Sequence, residues 1–151
     1  MKAQTLSRSL LALGATLMLS NPASANTVIE LTQVPCQFLE SEPTDHGFSA
    51  NSADDCKDHN KRTGDSRAQQ SQPLELKAGK YTFRVTNKNV PYPLGFWLRG
   101  EGVIGRATLP SVSGGGLATG TTLDYEITLE PGEYLYSCPL NPTPDYKLVV
   151  R

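Results

Sequence analysis

The chain has no run of about 20 apolar residues, no cluster of basic residues, two histidines and three cysteines. Each shortage excludes something. A transmembrane helix needs roughly 20 apolar residues, so no segment is expected to insert in a membrane. Without a basic run or a basic helix, neither nucleic acid nor an anionic membrane surface is an expected partner. No P-loop, zinc-protease helix or dinucleotide fingerprint occurs. The Gly114–Gly116 run lacks the Gly-Lys-Ser/Thr ending of a phosphate loop and reads as a flexible connection. Both histidines, His46 and His59, fall in one polar stretch. No imidazole is therefore expected beside a nucleophile in a rigid site, and the chain reads as a non-enzyme.

What is present begins with an export signature. Lys2 and Arg8 precede an apolar stretch, Leu10 to Leu19. Asn21 and Pro22 then break the helix, and Ala23-Ser24-Ala25 supplies the small-x-small pattern of a cleavage site. Residues 1–25 thus read as a signal peptide cut after Ala25, giving a periplasmic or secreted product. No cysteine follows directly, so a lipoprotein anchor is not expected. Loss of Lys2 and Arg8 from 14 basic residues leaves 12 against 15 acidic, a net charge of −3. Residues 26–151 suffice for one domain with one core.

The rest reads as all-β. Thr27 to Val34 alternates and is rich in β-branched residues, and Pro35 and Cys36 end it. Residues 40–72 are polar and read as a loop insertion, with at most a short helix near Asp54 to Asn60. From Pro73 onward short strands recur: Leu74–Leu76, Tyr81–Thr86, Leu94–Leu98, Thr121–Leu129, Tyr134–Tyr136 and Tyr146–Val150. Turn signals separate them, which implies a β-sandwich or barrel. An exported chain with Cys36, Cys56 and Cys138 is expected to pair two of them and leave one.

Two phrases carry a resemblance. Leu76-Lys77-Ala78-Gly79-Lys80-Tyr81-Thr82-Phe83-Arg84-Val85-Thr86-Asn87 is similar to a cupredoxin strand pair. Leu129-Glu130-Pro131-Gly132-Glu133-Tyr134, running on to Tyr136 and Cys138, is similar to the cupredoxin hairpin that leads into the metal loop. The resemblance implies a Greek-key β-sandwich. A blue-copper site needs two imidazoles and a thiolate. The stretch Asn89–Phe96 has no histidine, and Pro139–Pro144 has neither histidine nor methionine. Only Cys138 carries over, so an ordinary blue-copper carrier is excluded. The chain more closely resembles the cupredoxin-like domain of EfeO-type periplasmic iron-uptake proteins, through Cys36 with Glu40 and the ending from Pro131 to Val149. The acidic strand of that group is Leu94-Gly95-Phe96-Trp97 here, without its carboxylates.

The resemblance implies that Cys36 and Cys138 share the pole where cupredoxins hold metal. A Cys36–Cys138 disulfide is the first expectation, Cys36–Cys56 the second, and a copper or iron site with both thiolates the third. In the last, His46, Cys56 and His59 would fold over the pole and replace the lost imidazoles. The plainer reading of Asp54–His59 is a solvated acidic loop. Tyr92, Phe96 and Trp97 form an aromatic cluster that would, if exposed, dock a partner such as an envelope protein or metal transporter. A Tyr two residues before Cys138 resembles a sandwich tyrosine corner. Two functions remain: metal handling in the periplasm, or a metal-free interaction domain held by a disulfide.

Overall fold

The alternation of the first strand decides where the domain places its core. In β1 (Thr27–Val34) Leu31 is buried while Glu30 is exposed. A turn at Pro35–Cys36 leads to β2 (Gln37–Phe38), antiparallel to β1. A 3-10 turn at Leu39–Ser41 follows, then helix α1 (Ala53–Gln70). The other elements are β3 (Leu74–Leu76), β4 (Gly79–Asn87), β5 (Leu94–Gly100), α2 (Gly102–Thr108), β6 (Val112–Leu117), β7 (Thr122–Leu129), β8 (Gly132–Ser137) and β9 (Tyr146–Val150). The computed structural model describes residues 26–151; the expected leader and its cleavage site lie outside them.

Two sheets form a β-sandwich. One runs β2-β1-β4-β7 and the other β3-β9-β8-β5-β6. β1 lies parallel to β4, pairing Thr27 with Tyr81 and Gln33 with Asn87. The ends of both strands and the end of β8 therefore reach the same pole, as expected. Phe83, Phe96, Leu98, Tyr134 and Leu148 lie between the sheets, each almost fully buried. Truncating one such aromatic to alanine costs roughly 3–5 kcal/mol.

Three expectations need correction. The segment 40–72 is not mainly loop, because α1 spans 18 residues. Ser52 and Asp55 close a capping box, Asp54 and Asp55 sit at the positive end of the helix dipole, and Arg67 sits near the negative end. Cys56, Asn60, Gly64 and Arg67 recur at helical spacing on the inward face. That stripe is polar, so a search for apolar periodicity passes over it. The Gly-rich connection contains a strand, β6, paired antiparallel with β5. The tyrosine corner belongs to Tyr134, whose hydroxyl donates to the Glu130 carbonyl at 2.9 Å. The hydroxyl of Tyr136 instead meets Ser41 Oγ at 2.7 Å.

Candidate functional site

At the pole, three fully buried polar side chains, Gln33, Asn87 and Asn141, gather beside a disulfide. Cys36 bonds to Cys56, with Cα atoms 4.9 Å apart. The expected Cys36–Cys138 bond is not formed, and Cys138 is a buried free thiol. The reason is local. The helix beginning at Ala53 presents Cys56 inward on its first turn, directly over the Pro35–Cys36 turn. Cys36 holds a left-handed backbone, φ +64°, which costs a non-glycine residue on the order of 1–3 kcal/mol and persists only where surroundings enforce it.

Asn141 is the enforcing group. Its Oδ1 accepts from the Cys36 backbone N–H at 2.8 Å and lies 3.2 Å from Cys56 Sγ. Its Nδ2 donates to the Val34 carbonyl at 2.9 Å and to Gln33 Oε1 at 3.4 Å. Its own backbone N–H points at Cys138 Sγ, 3.2 Å away. Gln33 Nε2 completes the set on the Gly95 carbonyl at 2.8 Å. Gln33 and Asn141 are both fully buried. One side chain thus ties the end of β1, the disulfide and the loop after β8 together. Asn87 plays a similar part nearby, donating to the carbonyls of Val90, Tyr92 and Leu117.

The insertion is bolted on by a second buried network around Glu42. Arg67 grips the carboxylate with two donors, Nε at 2.9 Å and NH2 at 2.6 Å. His46 Nε2 lies 2.7 Å from Glu42 Oε2, and the Tyr146 hydroxyl donates to Glu42 Oε1. Arg67 also donates to the Cys36 carbonyl and to Asn60 Oδ1, each at 2.9 Å. Asn60 Nδ2 donates to the Pro142 carbonyl. Burial pushes the Glu42 carboxyl up. Hydrogen bonds from Arg67, Tyr146 and His46, with the Arg67 charge, outweigh burial and hold it below its ordinary value. The Tyr146 hydroxyl is pushed up, first by burial and then by the neighbouring carboxylate.

The chemistry this arrangement allows is narrow. Burial raises the Cys138 thiol above its usual range, and the N–H groups of Gly95, Asn141 and Leu140 and the Gln33 amide only partly offset it. Cys138 is therefore a protonated thiol at neutral pH and a weak nucleophile. Copper in this fold calls for a thiolate and two imidazoles. His46 spends Nε2 on Glu42 and stacks on Phe48, ring centroids 5.1 Å apart. His59 packs on the same ring at 4.6 Å. Cys36 and Cys56 are oxidised. No group of three or more His, Cys, Asp and Glu side chains gathers among the described residues. Of the five residues expected as copper or iron ligands, Cys36 and Cys56 are spent on the disulfide and His46 Nε2 on Glu42. The two-imidazole, one-thiolate set of a blue-copper site is not assembled among the described residues.

The aromatic cluster is divided by strand alternation. Phe96 faces the core, 1% exposed, among Phe83, Tyr125, Phe38 and Tyr136. It is not part of a surface patch. Trp97 faces outward, with the Arg99 guanidinium 4.1 Å and the Arg106 guanidinium 6.0 Å from its ring. Tyr92 is partly buried, its hydroxyl 3.9 Å from Cys56 Sγ. Asn141, Glu42 and Arg67 were not singled out from the sequence. Asn141 stands three residues after Cys138, and that spacing was the one available signal.

No protein-family model matches this chain, and no curated protein sequence matches it. Solved structures do. Auracyanin B shares 15% identity over 83% of this chain and 88% of its own, with a TM-score of 0.51. Auracyanin A, a "blue" copper protein of the green thermophilic photosynthetic bacterium Chloroflexus aurantiacus, shares 18% identity over 84% of this chain and 100% of its own, with a TM-score of 0.49. The chain has an all-β, cupredoxin-like sandwich fold.

Proposed function

We propose that the chain is an exported, non-catalytic binding domain that keeps the cupredoxin-like sandwich and has turned its metal pole into a metal-free structural plug. The observation that carries this reading is Asn141, fully buried and spending its whole amide on Cys36, Val34 and Gln33 beside the disulfide. A plug of this kind rigidifies the pole and takes Cys36, Cys56 and His46 Nε2 out of reach of a metal. The Cys36–Cys56 bond suits an oxidising compartment, and the leader-like residues 1–25 point the same way. The absence of a catalytic role is supported by the protonated Cys138, which has amides and no base around it. The remaining work for such a domain is contact with another envelope protein. Handling of copper or iron, with delivery to a transporter, would need the Cys36 and Cys56 sulfurs and the His46 nitrogen, which this pole spends on its own structure.

Titration of the purified protein with copper(I), copper(II) and iron(II), followed by removal of excess and elemental analysis, tests this. Less than a tenth of an equivalent is expected to stay bound, the same in wild type, His59→Ala and Cys138→Ser. One retained equivalent that Cys138→Ser abolishes would overturn the reading.

A further inference from the structure

Of the four sheet edges, three carry devices that discourage strand pairing. β2 is two residues long, and β3 is three residues long and follows Pro73. β7 presents exposed Asp124 and Glu126. Short length, proline and charge are the usual protections of an edge. The fourth edge, β6, has none of these three; its one irregularity is a bulge at Gly115–Gly116 opposite Gly95, where Gly116 is left-handed, φ +79°. It is six residues long, ends its sheet, and runs Val-Ser-Gly-Gly-Gly-Leu without charge or proline. Ser113 to Gly116 are all exposed.

The glycines explain why the edge is bare. A Cβ on Gly95 would stand 2.5 Å from the Gly114 carbonyl oxygen, and one on Gly114 would stand 2.9 Å from the Tyr125 ring. Those two are fixed by packing. Gly115 is not: a Cβ there would touch only Leu140 and the Leu94 carbonyl, at 3.8 and 3.9 Å. Packing thus leaves room for a side chain where the sequence keeps an open backbone. Beside it lies a shallow groove of about 410 Å³, lined by Gly95, Trp97, Ser113, Gly115, Pro139 and Leu140. Leu140 is 47% exposed there. Arg106 stands at the rim, exposed, beside Trp97 and in no ion pair among the described residues.

We propose that β6 receives an extended, acidic segment of a partner protein as an added strand, with an apolar side chain of that segment lying between Trp97 and Leu140 and its carboxylates meeting Arg106. This rests on the reading of the chain as a binding domain and names the partner's chemistry. Strand addition draws its affinity from main-chain hydrogen bonds and its selectivity from pockets for alternate side chains. Val112 to Gly114, ahead of the bulge, keep regular register with β5 and offer the first. The unpaired arginine selects for acidic character, against the net negative charge of the remaining surface.

The test is a labelled peptide alternating Glu and Val with a central Trp, its Lys-for-Glu counterpart, and a version with Pro at alternate positions. Binding is read by anisotropy and by amide shifts in a nitrogen-15 spectrum. The acidic peptide is expected to bind at least tenfold more tightly than the other two and to shift the amides of Ser113 to Gly116. Arg106→Glu and Gly115→Asp are each expected to weaken it at least tenfold, while Gly115→Ala stays within threefold. No binding of the acidic peptide, shifts centred elsewhere, equal binding of the basic peptide, or pairing of β6 with a second copy of this chain would overturn the proposal. The metal titration decides the metal-free reading separately, so the two can fail independently.

Discussion

Replacing Arg67 by methionine is expected to lower the unfolding free energy by roughly 3–5 kcal/mol at neutral pH, because it leaves the Glu42 carboxylate buried without its cation. Glu42 is 7% exposed and Arg67 5% exposed, so neither charge can turn to water. The change also removes donors to the Cys36 carbonyl and to Asn60, two of the ties that hold α1 on the pole. Urea titration of the folded domain measures it. A loss below about 1 kcal/mol, the scale of an exposed pair, would mean that the network is solvated and the insertion loosely held. The pH dependence has a defined sign. Glu42 lies below its ordinary value of 4.5 in the folded protein. Its stabilisation is therefore complete above that ordinary value and is lost as pH falls through the lower, folded value. The stability gap between wild type and Glu42→Gln is expected to be widest near neutral pH and to narrow in acid. A gap that widened in acid would contradict the assignment.

Asn141→Leu is the second large effect. Leucine has a similar volume but leaves the Cys36 N–H and the Val34 carbonyl without partners. Each buried orphan costs about 1–3 kcal/mol, so for the two a loss of roughly 2–6 kcal/mol is expected. Cys36 also loses the bond that helps hold its left-handed backbone. The Cys138 thiol is then expected to react with a small maleimide in the native state, a reaction not expected while Cys138 stays buried beside Asn141. For scale, opening the 20-residue Cys36–Cys56 loop by Cys56→Ser is worth about 3 kcal/mol in the chain-entropy view. A neutral Asn141→Leu with Cys138 still protected would remove the plug from the account.

These two residues also show where sequence reading stopped. The strands were legible because alternation is the physical signature of a half-buried sheet: Tyr81, Phe83 and Val85 point inward from β4, and Tyr125, Ile127 and Leu129 from β7. The parallel placement of β1 and β4, and hence the shared pole of Cys36 and Cys138, followed from the cupredoxin likeness. Phe96 was hidden because Leu94–Leu98 is apolar on both faces, so its strand gave no inward sign. α1 was hidden for the opposite reason. Its inward face is Cys56, half-buried Asn60, Gly64 and Arg67, a stripe without large apolar side chains whose Cys56, Asn60 and Arg67 pack only because Cys36, Pro142 and Glu42 receive them. Pairing over such distances leaves no local pattern. The disulfide followed from the same helix, which carries Cys56 to Cys36 and leaves Cys138 alone. β6 could not be read at all, since a glycine strand has no side chains to alternate.

The central claim is that the pole is a structural plug with a Cys36–Cys56 bond and an isolated Cys138. Alkylation of the native and the denatured protein before reduction, followed by peptide mass mapping, tests it most directly. The account predicts one linked pair, Cys36 with Cys56, and a Cys138 that takes the label only after denaturation. A Cys36–Cys138 link, or three cysteines that all take the label in the unreduced protein, would contradict it.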